Sequence, residues 1–209
     1  KKEHQMRDPA FTAECVNGFD KVLSPPRMVT DVAYWMNSEA EQRSANICTV
    51  MSAVEESTIA ARDNRLLEQD VFIREHITKD DYLVVSVGGN DVALRPTFWT
   101  IFYMVLLTNS PDWMIRNHIA PGFWYFVTLF GSKTSELISR IISKERPHKI
   151  LVCMINYLDE IAGGSWADYT LSKLGYDRNP AKLQLIIRCL FSAIRSKGLA
   201  IGGPAEGVH

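Results

Sequence analysis

The run Gly88-Gly89-Asn90-Asp91 has the composition of a ligand-binding turn. It follows the largely apolar segment 82–87, which is predicted to be a central strand covered on both faces. Open α/β sheets bind ligands just outside the carboxyl ends of their strands, and glycine lets the backbone approach a ligand closely. The Asn90 side chain is therefore a candidate hydrogen-bond donor to a developing negative charge. Asp91 is predicted to orient the turn by accepting backbone N–H groups, with substrate contact as the alternative.

Alternating helices and strands are predicted to position this turn. Helices are expected at 28–41, 66–77, 134–145 and from the capping residue Asn179 to Gly198, and further strands at 47–54 and 149–158. Strands separated by helices imply a mostly parallel sheet between helical layers. We expect one α/β domain over 1–209, with an irregular segment at 1–26.

The segment 95–133 departs from this alternation because it is rich in aromatic residues. It contains Phe98-Trp99, Ile101-Phe102-Tyr103 and Phe123-Trp124-Tyr125-Phe126, with breaks at Asn109-Ser110-Pro111 and Pro121-Gly122. A helical insertion is predicted here. Its aromatic residues either pack the insertion onto the domain or form an apolar wall over a site for an acyl chain.

Composition argues against several classes of partner. The formal net charge is -1, with 23 basic and 24 acidic residues, which does not favour nucleic acid binding. The longest apolar run, 101–107, is far shorter than the roughly 20 residues of a membrane-spanning helix. No Cys/His cluster has the spacing of a metal site, and no phosphate-binding glycine motif is present, so no metal or cofactor is expected.

The cysteines and the amino-terminal residues predict a location. Cys48, Cys153 and Cys189 fall in predicted strands and a helix face, and together with Cys15 they are expected to be reduced, buried small side chains. No apolar signal segment follows Lys1-Lys2-Glu3-His4. We therefore expect a cytoplasmic protein.

Two blocks of the chain resemble the SGNH/GDSL hydrolases. Gly88, Asn90 and Asp91 match the fixed positions of the family's Gly-x-Asn-Asp block, which also follows a central strand. About thirty residues earlier, Ala53-Val54-Glu55-Glu56-Ser57-Thr58 is similar to a second block, with Glu56 at the position of a family glycine that donates a backbone N–H to the oxyanion. The resemblance covers about 28–198.

This resemblance implies a flavodoxin-like three-layer α/β sandwich that hydrolyses a small-molecule ester or acyl substrate. It implies an oxyanion hole built from Asn90, Gly88 and Gly89. Glu56, Asp91 and Trp166, the last in the loop Gly163-Gly164-Ser165-Trp166, are candidate substrate-binding residues. An inward-pointing carboxylate at position 56 would repel an oxyanion.

The family's nucleophile and base are not matched in the same way. Gly-Asp-Ser does not occur, and Asn17-Gly18-Phe19-Asp20 lacks the serine, so Ser57 and Ser86 are weaker nucleophile candidates. The spacing of Asp-x-x-His is approached by Glu206-Gly207-Val208-His209, which makes His209 a candidate base.

Three functions remain open from the sequence. The chain is part of an ester hydrolase whose other catalytic blocks lie outside it, or it is a binding or scaffolding domain that kept the fold. In the third, the aromatic insertion docks on a protein partner or a membrane surface.

Overall fold

The computed structural model describes residues 12–155, 157, 172, 179–199 and 201. Trp166 and His209 lie outside these residues. Contacts between residues divide the chain into two compact units, 1–53 and 54–209, which are described separately.

In its described part, residues 12–53, the first unit pairs two short strands and carries one α-helix and a 3-10 turn, Phe19–Lys21. Strand β1 (Thr12–Glu14) is antiparallel to β2 (Arg27–Val29), and the Arg27 guanidinium donates to the Thr12 hydroxyl at 2.9 Å. The expectation of an irregular segment over 1–26 is therefore wrong for β1. Helix α1 (Val32–Gln42) begins where the Asp31 carboxylate accepts the Tyr34 N–H, which confirms a helix here but places its start after β2.

The strand predicted at 47–54 is wrong. A side chain replaces the sheet: the fully buried Asn37 accepts the Thr49 N–H at 2.9 Å and donates to the Thr49 carbonyl at 2.8 Å. Ile47 and Val50 are exposed, as is Cys48, which was expected to be buried. Val, Ile and Thr favour strands only where a partner strand and an apolar surface exist.

The second unit contains a parallel strand pair. Strand β3 (Tyr82–Ser86) pairs with β4 (Lys149–Cys153), with Tyr82 opposite Lys149 and Ser86 opposite Cys153. The strands were predicted to be covered on both faces, and this is wrong for the described strands, because Val84 and Leu151 are exposed. Side chains alternate across a strand, so one face packs on the core and Cys153 on the other is exposed.

Helices make up more than half of the described residues of this unit. Their bounds are α2 (Glu68–His76), α3 (Gly89–Ala93), α4 (Phe98–Asn109), α5 (Asp112–Arg116), α6 (Phe123–Val127), α7 (Thr134–Ile141) and α8 (Pro180–Lys197). A π-helical segment, Thr128–Lys133, joins α6 to α7. The predicted start of α8 is confirmed, because the Asn179 side chain accepts the Lys182 N–H and Pro180 is the first helical residue.

Two apolar cores hold the second unit together. One lies where α4, α5 and α6 meet α8, and includes Leu107, Ile115, Phe123 and Ile194. The other covers the inner face of the strand pair with residues of α7. Helices and strands thus share this unit, as predicted, and the parallel sheet has two strands in the described ranges. No helix in those ranges combines the length and apolar character needed to span a bilayer.

Candidate oxyanion site at the carboxyl end of strand β3

Gly88 makes a turn that no other residue type fits. Its φ is 100°, in the left-handed region that favours glycine. A Cβ placed on Gly88 would lie 2.7 Å from Cδ1 of Phe130, a buried ring in the π-helical segment. At Gly89, by contrast, an added Cβ meets no atom within 4 Å. The first glycine therefore sets the path of the backbone, whereas the second leaves open space beside α3.

Asn90 joins the two family-like blocks through one hydrogen bond. Its Nδ2 donates to the Ser57 carbonyl at 2.9 Å, and the side chain is half-buried. An amide nitrogen carries two N–H groups. The second N–H has no protein acceptor among the described residues, so the bond to Ser57 holds the amide in place while one donor remains for a ligand.

Asp91 forms the second tie between the blocks. The carboxylate is 4% exposed; Oδ2 accepts the Ile59 N–H at 2.8 Å and Oδ1 accepts the Ala60 N–H at 3.1 Å. It does accept backbone N–H groups, but from a segment 31 and 32 residues away rather than from its own turn. Both oxygens are engaged in positioning that segment, so a direct contact with substrate would require one of these bonds to break.

Glu56 adopts a backbone conformation that suits its position in the second block. Its φ is 60°, which is uncommon for a residue other than glycine, and the family-like pattern has glycine here. Its carboxylate is exposed and pairs with Arg95 at 3.5 Å, which partly neutralises it. An exposed pair of this kind contributes little to stability. The Arg95 guanidinium instead reduces the negative charge that Glu56 places beside the glycine turn.

A buried ion pair supports the second block from behind. The Arg62 guanidinium donates to Asp70 at 2.7 Å and to the Thr58 carbonyl at 2.8 Å, and both charged side chains are almost fully buried. Arg140 donates to the Arg62 carbonyl at 2.5 Å. We did not predict these supporting residues from the sequence. Arg62 follows two alanines and belongs to no recognisable motif. Asp70 has a weak signal of its own, because an acidic residue in the first turn of a helix is typical of a capping interaction.

The other predicted catalytic residues are not assembled into a triad in the described ranges. Ser57 is half-buried beside Asn90, whereas Ser86 is exposed on β3. No described histidine is hydrogen-bonded to either serine: His76 packs on Phe72, His118 on Phe123 and His148 on Tyr82. The turn therefore offers the second N–H of the Asn90 amide, and the described residues place no histidine against either serine.

An open cavity of about 410 Å³ lies against α2 and α7. It is lined by Arg65, Leu66, Val71, Arg74, Arg140 and Ser143, which include none of the predicted site residues. Three or more His, Cys, Asp or Glu side chains do not gather into a metal-binding group within the described part of the chain.

Comparisons with protein-family models, with curated proteins and with solved structures found no match. A functional assignment therefore depends on the residues of the turn and on the geometry that joins the two blocks.

The Asp91→Asn variant is expected to lower the free energy of unfolding by about 2–4 kcal/mol, because an amide accepts only one of the two buried N–H groups and leaves the other unpaired. Urea denaturation measures this change. The matched control is Asp81→Asn, whose carboxylate also accepts two hydrogen bonds, from Thr78, but is exposed. We expect that control to change stability by less than about 1 kcal/mol, and equal effects of the two variants would contradict the role of Asp91.

Proposed function

We propose that the unit 54–209 is an SGNH/GDSL-like domain that acts on a small-molecule ester or acyl substrate. In this proposal the unit has the flavodoxin-like three-layer arrangement of that class. Asn90, with backbone N–H groups near Gly88, Gly89 and Glu56, stabilises the tetrahedral oxyanion formed when an ester carbonyl is attacked.

One observation carries the proposal. The two family-like blocks, which are 33 residues apart in sequence, meet at the carboxyl end of β3 through the bond from Asn90 to the Ser57 carbonyl. The Asn90 amide is thereby held in place while its second N–H has no acceptor among the described residues, as a preorganised donor requires. Preorganisation matters because a donor that is already oriented needs no rearrangement as the negative charge develops.

A second candidate function is a binding or scaffolding domain without catalysis. The arrangement of Ser57 favours it. This serine lies next to the oxyanion donor, but no described histidine contacts its hydroxyl to accept a proton. Such a domain would bind an ester or acyl group through the same donors and release it unchanged.

The Asn90→Ala variant tests the role of the amide. If the protein hydrolyses p-nitrophenyl acetate, the variant is expected to lower kcat by about 10²–10³-fold, because one oxyanion donor is lost. The control is Asn117→Ala, which removes a similar bond from an asparagine amide to a backbone carbonyl, that of Trp113, at 2.7 Å. Circular dichroism of both variants checks that they fold.

Covalent labelling separates the two candidate functions. A fluorophosphonate forms an adduct with an activated serine, and mass spectrometry locates it. Absence of both turnover and adduct would reject hydrolysis by this chain. The binding candidate then requires calorimetric binding of an ester that weakens in Asn90→Ala, and it fails if both proteins bind equally.

A further inference from the structure

Helix α4 exposes a broad apolar face to solvent. Phe98, Trp99 and Phe102 are 74%, 57% and 43% exposed, and Ile101, Val105 and Leu106 on the same helix are also exposed. At 100° per residue these six positions occupy a continuous arc of about 160° around the helix. We call these six residues the aromatic face. The helix has no charged residue in its 12 positions.

The opposite side of α4 is fixed to the protein. Thr100, Met104 and Leu107 are buried, and the Thr100 hydroxyl is hydrogen-bonded to the Tyr125 hydroxyl at 2.7 Å. Tyr103 also stacks on Tyr125 with ring centroids 4.8 Å apart. Because these contacts set the rotation of the helix, the aromatic face cannot turn inward without breaking the core. A helix that is apolar on all sides normally lies in a protein core or against lipid.

Helices α5, α6 and α8, which share a core with α4, together carry more basic than acidic residues, although the whole chain has a net charge of -1. Segments 98–127 and 180–197 contain a single acidic residue, Asp112, and its carboxylate is held by Lys182 at 2.7 Å, which lowers the pKa of Asp112. The basic side chains that have no ion pair within the described ranges are Arg116, Arg188, Arg195 and Lys197.

Helix α8 places a lysine over an exposed tryptophan of α6, and its Arg188 lies near Arg116 of α5. Lys197 Nζ lies 5.9 Å from the ring centroid of Trp124, which is exposed on α6. Burial raises the pKa of the Cys189 thiol, and the nearby charges of Arg116 and Arg188 oppose that shift without cancelling it. Helices α4–α6 and α8 thus combine exposed aromatic side chains with basic side chains that form no ion pair with another described residue.

We propose that the aromatic face binds the interfacial region of an anionic lipid bilayer. Tryptophan and other aromatic side chains favour the boundary between headgroups and acyl chains, and nearby Lys and Arg side chains are attracted to anionic headgroups. This inference does not depend on ester hydrolysis.

Vesicle flotation tests the proposal with the full chain. The wild-type protein is expected to float with equimolar phosphatidylcholine–phosphatidylserine vesicles at low salt and to bind phosphatidylcholine vesicles much more weakly. Trp99→Ala is expected to reduce partitioning about tenfold or more, because it removes one inserted aromatic side chain. Lys197→Gln is expected to reduce it about fivefold by removing one charge near the surface.

The matched control is Trp35→Ala, because Trp35 is 63% exposed, similar to Trp99, but belongs to the unit 1–53. We expect this variant to partition like the wild type. Failure of the wild type to float, equal binding to neutral vesicles, or equal losses in the two tryptophan variants would overturn the proposal. Sedimentation velocity that shows a wild-type dimer lost in Trp99→Ala would overturn it in favour of a second copy.

Discussion

The Gly88→Ala variant is expected to lower the free energy of unfolding of the unit 54–209 by about 2–5 kcal/mol. A residue with a Cβ pays about 1–2 kcal/mol in the left-handed region that Gly88 occupies. The added methyl group would also lie 2.7 Å and 2.8 Å from two carbons of the Phe130 ring, and overpacking of this kind costs about 1–3 kcal/mol. Phe130 is buried in the core, so its ring can move aside only if its neighbours move as well. Urea denaturation followed by circular dichroism measures the change.

The neighbouring glycine supplies a matched control for this variant. Gly89 has no positive φ and begins α3, where an added Cβ meets no atom within 4 Å. Gly89→Ala is therefore expected to be neutral or to stabilise the unit by up to about 1 kcal/mol, because alanine restricts the unfolded chain. Equal destabilisation by both alanines would show that the turn tolerates neither, and the contact of Gly88 with Phe130 would not be the cause.

The Asp70→Asn variant is expected to lower the free energy of unfolding by about 3–5 kcal/mol. It leaves the Arg62 guanidinium buried without its counter-ion, and the cost of an unpaired buried charge exceeds the worth of the pair itself. Asp70 also accepts a hydrogen bond from the Leu67 N–H, and the side-chain oxygen of the introduced asparagine can still accept it. Denaturation by urea again gives the magnitude.

The control for Asp70→Asn is Asp63→Asn, the same substitution in an exposed pair. Asp63 lies 3.4 Å from Lys133, and both side chains are exposed. We expect a change of about 0–1 kcal/mol, because solvent screens this pair. If Asp70→Asn were as mild as Asp63→Asn, the Arg62–Asp70 pair would not support the second block.

Local signals in the sequence were enough to predict several elements. Asn179-Pro180 carries both the cap and the proline that begin α8, and Gly198 ends it, so the bounds follow from a few adjacent residues. Strand β3 was likewise evident from its apolar run, and Gly88 from its place at the strand end. The family resemblance implied that both blocks contribute to one site, but it did not predict the bond from Asn90 to the Ser57 carbonyl that joins them.

Features that depend on distant partners were not predictable in this way. The segment 47–54 has strand-like composition, but the buried Asn37 side chain takes up the Thr49 hydrogen bonds. Exposure of Val84 depends on what covers the outer face of the strand pair, which its own sequence does not encode. The exposure of the aromatic face could not be predicted either. The spacing of apolar residues predicts a helix, but it does not indicate whether other elements cover that helix.

The π-helical segment Thr128–Lys133 changes the direction in which side chains point along the continuous helix formed by α6, the segment itself and α7. Phe123 and Phe126, before it, belong to the core beside α8, whereas Leu137 and Ile138, after it, belong to the core beneath the strands. One extra residue per π turn rotates everything downstream by about 100° relative to an unbroken α-helix. A single continuous backbone can therefore present its side chains to two cores that lie in different directions. Phe130, whose ring packs on Gly88, belongs to the π-helical segment that produces this rotation.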